Sequence, residues 1–86
     1  MKARRRTTRP LSEKRLAVLR RLVPKSRMLG DLAREMGEKH AAVESHVREL
    51  VYRGLAERLS AGRYRATKHG EAAVAAAQLE QMEASP

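Results

Sequence analysis

The stretch Leu29-Gly30-Asp31-Leu32-Ala33-Arg34-Glu35-Met36-Gly37-Glu38-Lys39-His40-Ala41-Ala42-Val43-Glu44-Ser45-His46-Val47-Arg48-Glu49-Leu50-Val51-Tyr52-Arg53-Gly54 decides the fold. Leu29, Leu32, Ala33 and Met36 recur at helical spacing, which predicts a short helix over 29–36. Gly30 lies inside it at some cost in helix propensity. Gly37 suits the left-handed residue that ends such a helix. Val43, Val47, Leu50 and Val51 then form one apolar stripe, which predicts a longer helix over 39–53, starting at Glu38 or Lys39 and ending at Gly54. Two helices meeting at a glycine, the second with polar groups facing outward, read as a helix-turn-helix.

Upstream, Ser12 is placed to cap another helix with its hydroxyl. Leu11 and Leu16 sit at hydrophobic-staple spacing around it. Leu16, Leu19, Leu22 and Val23 continue the stripe until Pro24, which cannot extend the helix. A helix over 12–23 and a connector over 24–28 follow. Downstream, Leu55–Leu59 and Arg63–Ala66 flank Ser60-Ala61-Gly62, the pattern of a hairpin. In its second strand Arg63 and Arg65 point one way, and Tyr64 and Ala66 the other. Thr67 is placed to cap a last, alanine-rich helix, and Ala84-Ser85-Pro86 is expected to fray. The expected fold class is mainly α with a small β-hairpin: a three-helix bundle, a wing and a C-terminal helix. Its divisions are a flexible basic arm over 1–10, a domain over 11–67 and a C-terminal helix over 68–86.

Charge narrows the partners. Nineteen Lys and Arg stand against ten Asp and Glu, a net charge of +9 in 86 residues. A field of this strength in so short a chain favours a polyanion. It is also uneven. Lys2, Arg4, Arg5, Arg6 and Arg9 crowd the first ten residues, whereas Glu71, Glu80 and Glu83 follow Lys68. Phosphates should therefore meet the front and middle of the chain. Two tyrosines and no Phe or Trp speak against single-strand binding by base stacking. The absence of cysteine removes disulfides, thiolate metal sites and thiol nucleophiles. No apolar run is long enough to span a bilayer, and the basic N-terminus lacks the apolar stretch of a signal peptide, so the cytoplasm is the expected compartment.

The segment 32–37, with Val43, Val47-Arg48-Glu49-Leu50 and Gly54-Leu55, resembles the winged helix-turn-helix regulators of bacteria and archaea. Tyr64-Arg65-Ala66-Thr67-Lys68-His69-Gly70 looks like their second wing strand running into the next helix. The nearest types are the MarR-like and PadR-like regulators, and the resemblance covers about residues 12–78. It implies a sequence-specific, homodimeric regulator of double-stranded DNA, a repressor more than an activator. The helix over 39–53 would enter the major groove, where each base pair has its own donor and acceptor pattern. With its apolar stripe buried, the residues turned to DNA would be Lys39, His40, Ala42, Glu44, Ser45 and Arg48, beside Ala41. Arg58, Arg63 and Arg65 would serve the wing. Arg4, Arg5, Arg6 and Arg9 would suit a narrow, negative minor groove. Ala72, Ala75, Leu79 and Met82 would form the dimer seam.

Three departures from the family stand out. Ala41 and Ala42 replace polar groups that usually touch DNA. The wing is short. Met28 sits where a capping Ser or Thr is common. The family often binds an effector between dimer helix and wing, but this chain has little volume for one, so no small-molecule sensor and no cofactor are expected. His40 and Glu44 have metal-ligand spacing but no third ligand, so no metal site is expected. His46 is read as packing between the first and third helices, and Tyr52 and Tyr64 as core or wing supports. No nucleophile motif, paired-carboxylate pocket or G-x-x-x-x-G-K loop is present, and no enzymatic activity is expected. The alternatives are a winged-helix module for protein or RNA, and an architectural protein that coats DNA without sequence preference.

Overall fold

The computed structural model describes residues 11–84. The arm with Arg4, Arg5, Arg6 and Arg9 lies outside the described residues, as does the end at Ser85-Pro86. The order of elements is α1 (Glu13–Leu22), β1 (Arg27–Met28), α2 (Leu29–Met36), α3 (His40–Tyr52), β2 (Ala56–Ser60), β3 (Arg63–Ala66) and α4 (Lys68–Ala84). This is a winged-helix fold: three helices, a small antiparallel sheet and a C-terminal helix.

Local chemistry sets most boundaries. Ser12 Oγ accepts the Arg15 backbone N–H at 3.2 Å, which satisfies one of the free amides of the first turn. Leu11 and Leu16 lie partly buried against the core. Gly37 ends α2 at φ 64°, and the Glu38 N–H reaches back to the Ala33 carbonyl at 3.0 Å. That left-handed turn carries no Cβ penalty at glycine. Gly54 closes α3 in the same manner, with the Leu55 N–H on the Leu50 carbonyl at 2.8 Å. Met28, at the start of α2, supplies no side-chain cap. The Leu29 N–H donates to the Gly62 carbonyl at 2.8 Å, so the wing turn satisfies one of the free amides at the start of α2.

That contact belongs to a feature that local patterning does not reveal. The expected connector over 24–28 contains β1, and the sheet has three strands in the order β1-β3-β2 rather than two. Arg27 lies opposite Tyr64, and Met28 opposite Arg63. Two residues carry no alternation of their own. They become a strand because β3 offers an unpaired edge whose backbone groups need partners.

Val18, Leu19, Leu22, Leu32, Val43, Val47 and Leu50 are fully buried, joined by Leu29, Ala33, Ala56, Ala66 and Val74. The core thus lies where α1, α2 and α3 meet and is closed by the base of the sheet and one face of α4. No polar or charged residue is buried among the described residues. Val18, outside the stripe read from sequence, is fully buried, whereas Leu16 and Val23 are only half-buried.

Thr67 couples α4 to the end of α3. Its hydroxyl donates to the Gly54 carbonyl at 2.7 Å and accepts the Gly70 N–H at 3.1 Å. Its own N–H donates to the Leu55 carbonyl at 3.0 Å. At Gly70 a Cβ would collide with that same Leu55 carbonyl and lie 3.2 Å from Leu19 Cδ1. Glycine is what allows α4 to start this close to the domain.

Candidate nucleic-acid interface

Helix α3 is held by burial of Val43, Val47 and Leu50. At 3.6 residues per turn, the side opposite these three carries Ala41, Ser45, Arg48 and Tyr52. All four are exposed. Lys39 and His40, also exposed, stand at the helix start, where unpaired N–H groups and the helix dipole favour an anion.

The residues expected from sequence divide on this geometry. Ser45 and Arg48 lie in the middle of the outward stripe. Glu44 flanks it, half-buried, with Oε2 3.2 Å from Arg48 Nη2. Ala42 is not on the stripe: it is half-buried on the flank shared with His46, and Ala41 holds the outward position. Tyr52 is not a core support. It is 53% exposed and extends the Ala41–Ser45–Arg48 stripe by one turn. The i, i+4, i+7, i+11 spacing of these residues was the signal that could have found it. Tyr64, by contrast, packs partly buried against the core.

The wing does not gather its arginines on one face. In the β2–β3 register Ala56 opposes Ala66, Glu57 opposes Arg65, and Arg58 opposes Tyr64. Arg58 therefore shares the face that becomes core at Ala56 and Ala66, but lies far enough toward the tip to be exposed. It has no side-chain partner among the described residues. Arg65 is on the other face, paired with Glu57 at 2.7 Å. There it borders a groove with Pro24, Lys25 and Lys68. Arg63 is half-buried, and its Nη1 donates to Ser26 Oγ at 3.0 Å. A register irregularity at Leu59 separates the tip from this regular pairing.

Pairing also thins the positive charge of the folded domain. Arg34 meets Asp31, Arg53 meets Glu49, and Lys14 meets Glu38. Both Arg21 and Arg27 meet Glu35. Residues 11–86 hold fourteen Lys and Arg against ten acidic residues, a balance of +4, whereas the first ten residues hold five cations and no acid.

His46 lies on the α3 flank turned toward α1. Burial, and after it the nearby Arg15 guanidinium, holds its imidazole below the ordinary value of 6.5, with Glu38 opposing the shift. Its Nδ1 is buried with no hydrogen-bond partner. Hydrogen bonding and charge from Lys14 hold the Glu38 carboxyl below 4.5. Among the described residues no three His, Cys, Asp or Glu side chains converge as a metal site. No helix there is long and apolar enough to cross a membrane.

The four seam residues expected on α4 share one exposed stripe. Ala72 and Ala75 are exposed, Leu79 is 57% exposed and Met82 71%.

No protein-family model matches the chain, and no curated protein matches it. Among solved structures, the crystal structure of T. acidophilum IdeR superposes with a TM-score of 0.60 at 23% sequence identity. The match covers 77% of this chain and 32% of that one, so the chain corresponds to about a third of IdeR. The likeness is one of fold, and it matches the winged-helix architecture described above.

Proposed function

We propose that this protein is a sequence-specific, double-stranded DNA-binding regulator of transcription that acts as a homodimer and represses by occupying its operator. The observation that carries this reading is the outward face of α3. It presents Ser45, Arg48 and Tyr52 on one stripe, with Lys39 and His40 at its start, on a basic winged helix with an all-apolar core. Ser45 can hydrogen-bond a base edge or a phosphate, and Arg48 a guanine or a phosphate. Tyr52 adds an aromatic edge and a hydroxyl at the far end of the same helix. Arg58 is the wing residue best placed to add a phosphate contact, because among the described residues no carboxylate holds it. The MarR-like and PadR-like placement rests on the sequence resemblance at 32–37 and 64–70. Action in the cytoplasm, and a role in binding rather than catalysis, belong to the same reading.

A random pool of short duplexes, titrated at near-physiological salt and sequenced after recovery, tests it. A palindromic motif is expected, with half-sites about one helical turn apart. Its loss on Ser45→Ala with Arg48→Ala assigns the reading of bases to α3.

One observation favours a second reading. Arg48 and Arg65 are paired with carboxylates, while the first ten residues hold five cations and no acid. An architectural protein that holds DNA through its arm would show this balance. In that case removal of residues 1–10 abolishes most affinity, and no motif emerges from the pool. Failure to bind any duplex would leave a protein- or RNA-binding module.

A further inference from the structure

Helix α4 uses only one of its sides within the domain. Val74 is buried and Ala73 packs against the core. Near the far end Gln81 Oε1 accepts from Arg20 Nη2 at 3.4 Å. The opposite side carries Ala72, Ala75, Ala76, Leu79 and Met82, all exposed. Leu79 and Met82 are two of the four large hydrophobic residues exposed among the described residues.

This face has two gradients along its length. The first is of size: alanines occupy its first half, Leu79 and Met82 its second. The second is of charge: Lys68 and His69 stand at its start, with Glu71 one turn on, and Glu80 near its end. A parallel pair of such helices sets Leu79 and Met82 against their own copies. That holds the axes apart and leaves the alanines facing a gap. It also sets like charges together. Reversing one helix removes both conflicts. With the alanines at the centre, Leu79 then covers Ala72 of the other copy and Met82 lies over the aliphatic stem of its Lys68, and the alanines let the axes approach to the close end of the usual range, about 8 Å. Glu80 comes opposite the other copy's helix start, where Lys68, His69 and the positive end of the dipole attract it against the opposing charge of Glu71.

From this complementarity we infer that α4 pairs with the α4 of a second copy in antiparallel sense, the two Ala75 residues facing each other at the two-fold axis. The inference rests on the homodimer part of the proposed function and fixes its geometry.

The chain has no cysteine, so engineered thiols report position cleanly. A disulfide needs Cα atoms roughly 4.4–6.8 Å apart. Ala75→Cys, Leu79→Cys and the double variant Ala72→Cys/Leu79→Cys are oxidised at micromolar concentration and resolved without reductant. The expected pattern is a covalent dimer for Ala75→Cys and for the double variant, and none for Leu79→Cys alone. A covalent dimer from Leu79→Cys establishes a parallel pair and overturns the inference, whether or not Ala75→Cys also gives one, because an antiparallel pair centred on Ala75 holds the two 79 positions about 12 Å apart. So does the absence of a dimer from all three. A second measurement uses Leu79→Glu at an exposed site. Its mass in solution should fall from twice 9.7 kDa to 9.7 kDa, with helical circular dichroism per chain unchanged. A wild-type mass of one chain overturns the inference. Duplex affinity of the wild type, measured alongside, separates the two failures. A monomer that binds duplex sinks the dimer alone, and an antiparallel dimer that binds no duplex sinks the DNA reading alone.

Discussion

The Glu44 carboxylate and the Arg48 guanidinium lie 3.2 Å apart, one turn from each other along α3. The Arg48 side chain is 75% exposed. In solvent such a pair contributes about 0–1 kcal/mol to stability, too little to explain it as a fold element. Its larger consequence is for binding. Glu44 neutralises the cation at the middle of the proposed reading face, and its own charge opposes phosphate.

Glu44→Gln is therefore expected to tighten duplex binding several-fold at low salt, with the gain shrinking as salt is raised. Arg48→Ala is expected to weaken it by about 1–3 kcal/mol if Arg48 contacts a base. Fluorescence anisotropy with a labelled duplex across a salt series reads both. Weaker binding by Glu44→Gln would mean that the carboxylate itself accepts from a base, such as a cytosine amino group.

The two glycines inside helices should respond to alanine with opposite sign. Gly30 has open space around its Cα, so Gly30→Ala should stabilise by about 0.5–1 kcal/mol through helix propensity. At Gly70 the same methyl group meets the Leu55 carbonyl. Backbone cannot yield as a flexible side chain can, and Gly70→Ala should destabilise by about 1–3 kcal/mol despite the same gain in propensity. Urea midpoints of the two variants decide it, and stabilisation by both would remove the close approach of α4 to Leu55.

Thr67 supports two bonds with one hydroxyl, as donor to Gly54 and acceptor from Gly70. Thr67→Val keeps the shape and removes both. A loss of about 1–2 kcal/mol is expected in chemical denaturation, as for a helix cap. Thr67→Ser should recover most of it.

Acid should weaken the fold in two stages. His46 in the folded state is held below 6.5 by burial and Arg15, so the unfolded chain takes its proton first. Stability is full above about 6.5 and falls as pH drops below the unfolded value toward the folded one. Glu38 is held below 4.5 by Lys14, so what its pairing contributes is present above 4.5 and lost as pH falls through its lower folded value. His46→Gln should remove the first stage and leave the second. The measurement is the urea midpoint between pH 7.5 and 3.5 for both proteins, and an unchanged slope near pH 6 in the variant would acquit His46.

Features that act over a few residues are legible in the sequence. The stripes Leu29–Met36 and Val43–Val51, the glycines at 37 and 54, and the caps Ser12 and Thr67 act within a few residues of themselves, so their spacing alone determined three helices, a wing and a fourth helix. Net charge, summed from the sequence alone, is the basis of the proposed polyanionic partner. Only the tertiary structure decided the remainder, because it depends on partners distant in the chain. Arg27-Met28 is a strand only beside β3, and the first amide of α2, at Leu29, finds its acceptor at Gly62. The packing of α3 turned Ala41 and Tyr52 outward and Ala42 aside, and strand register put Arg58 and Arg65 on opposite faces. Composition counts charges, but the fold pairs Arg27 with Glu35 and, among the described residues, leaves Arg58 without a carboxylate, since such pairs are set by distance in space and not by composition.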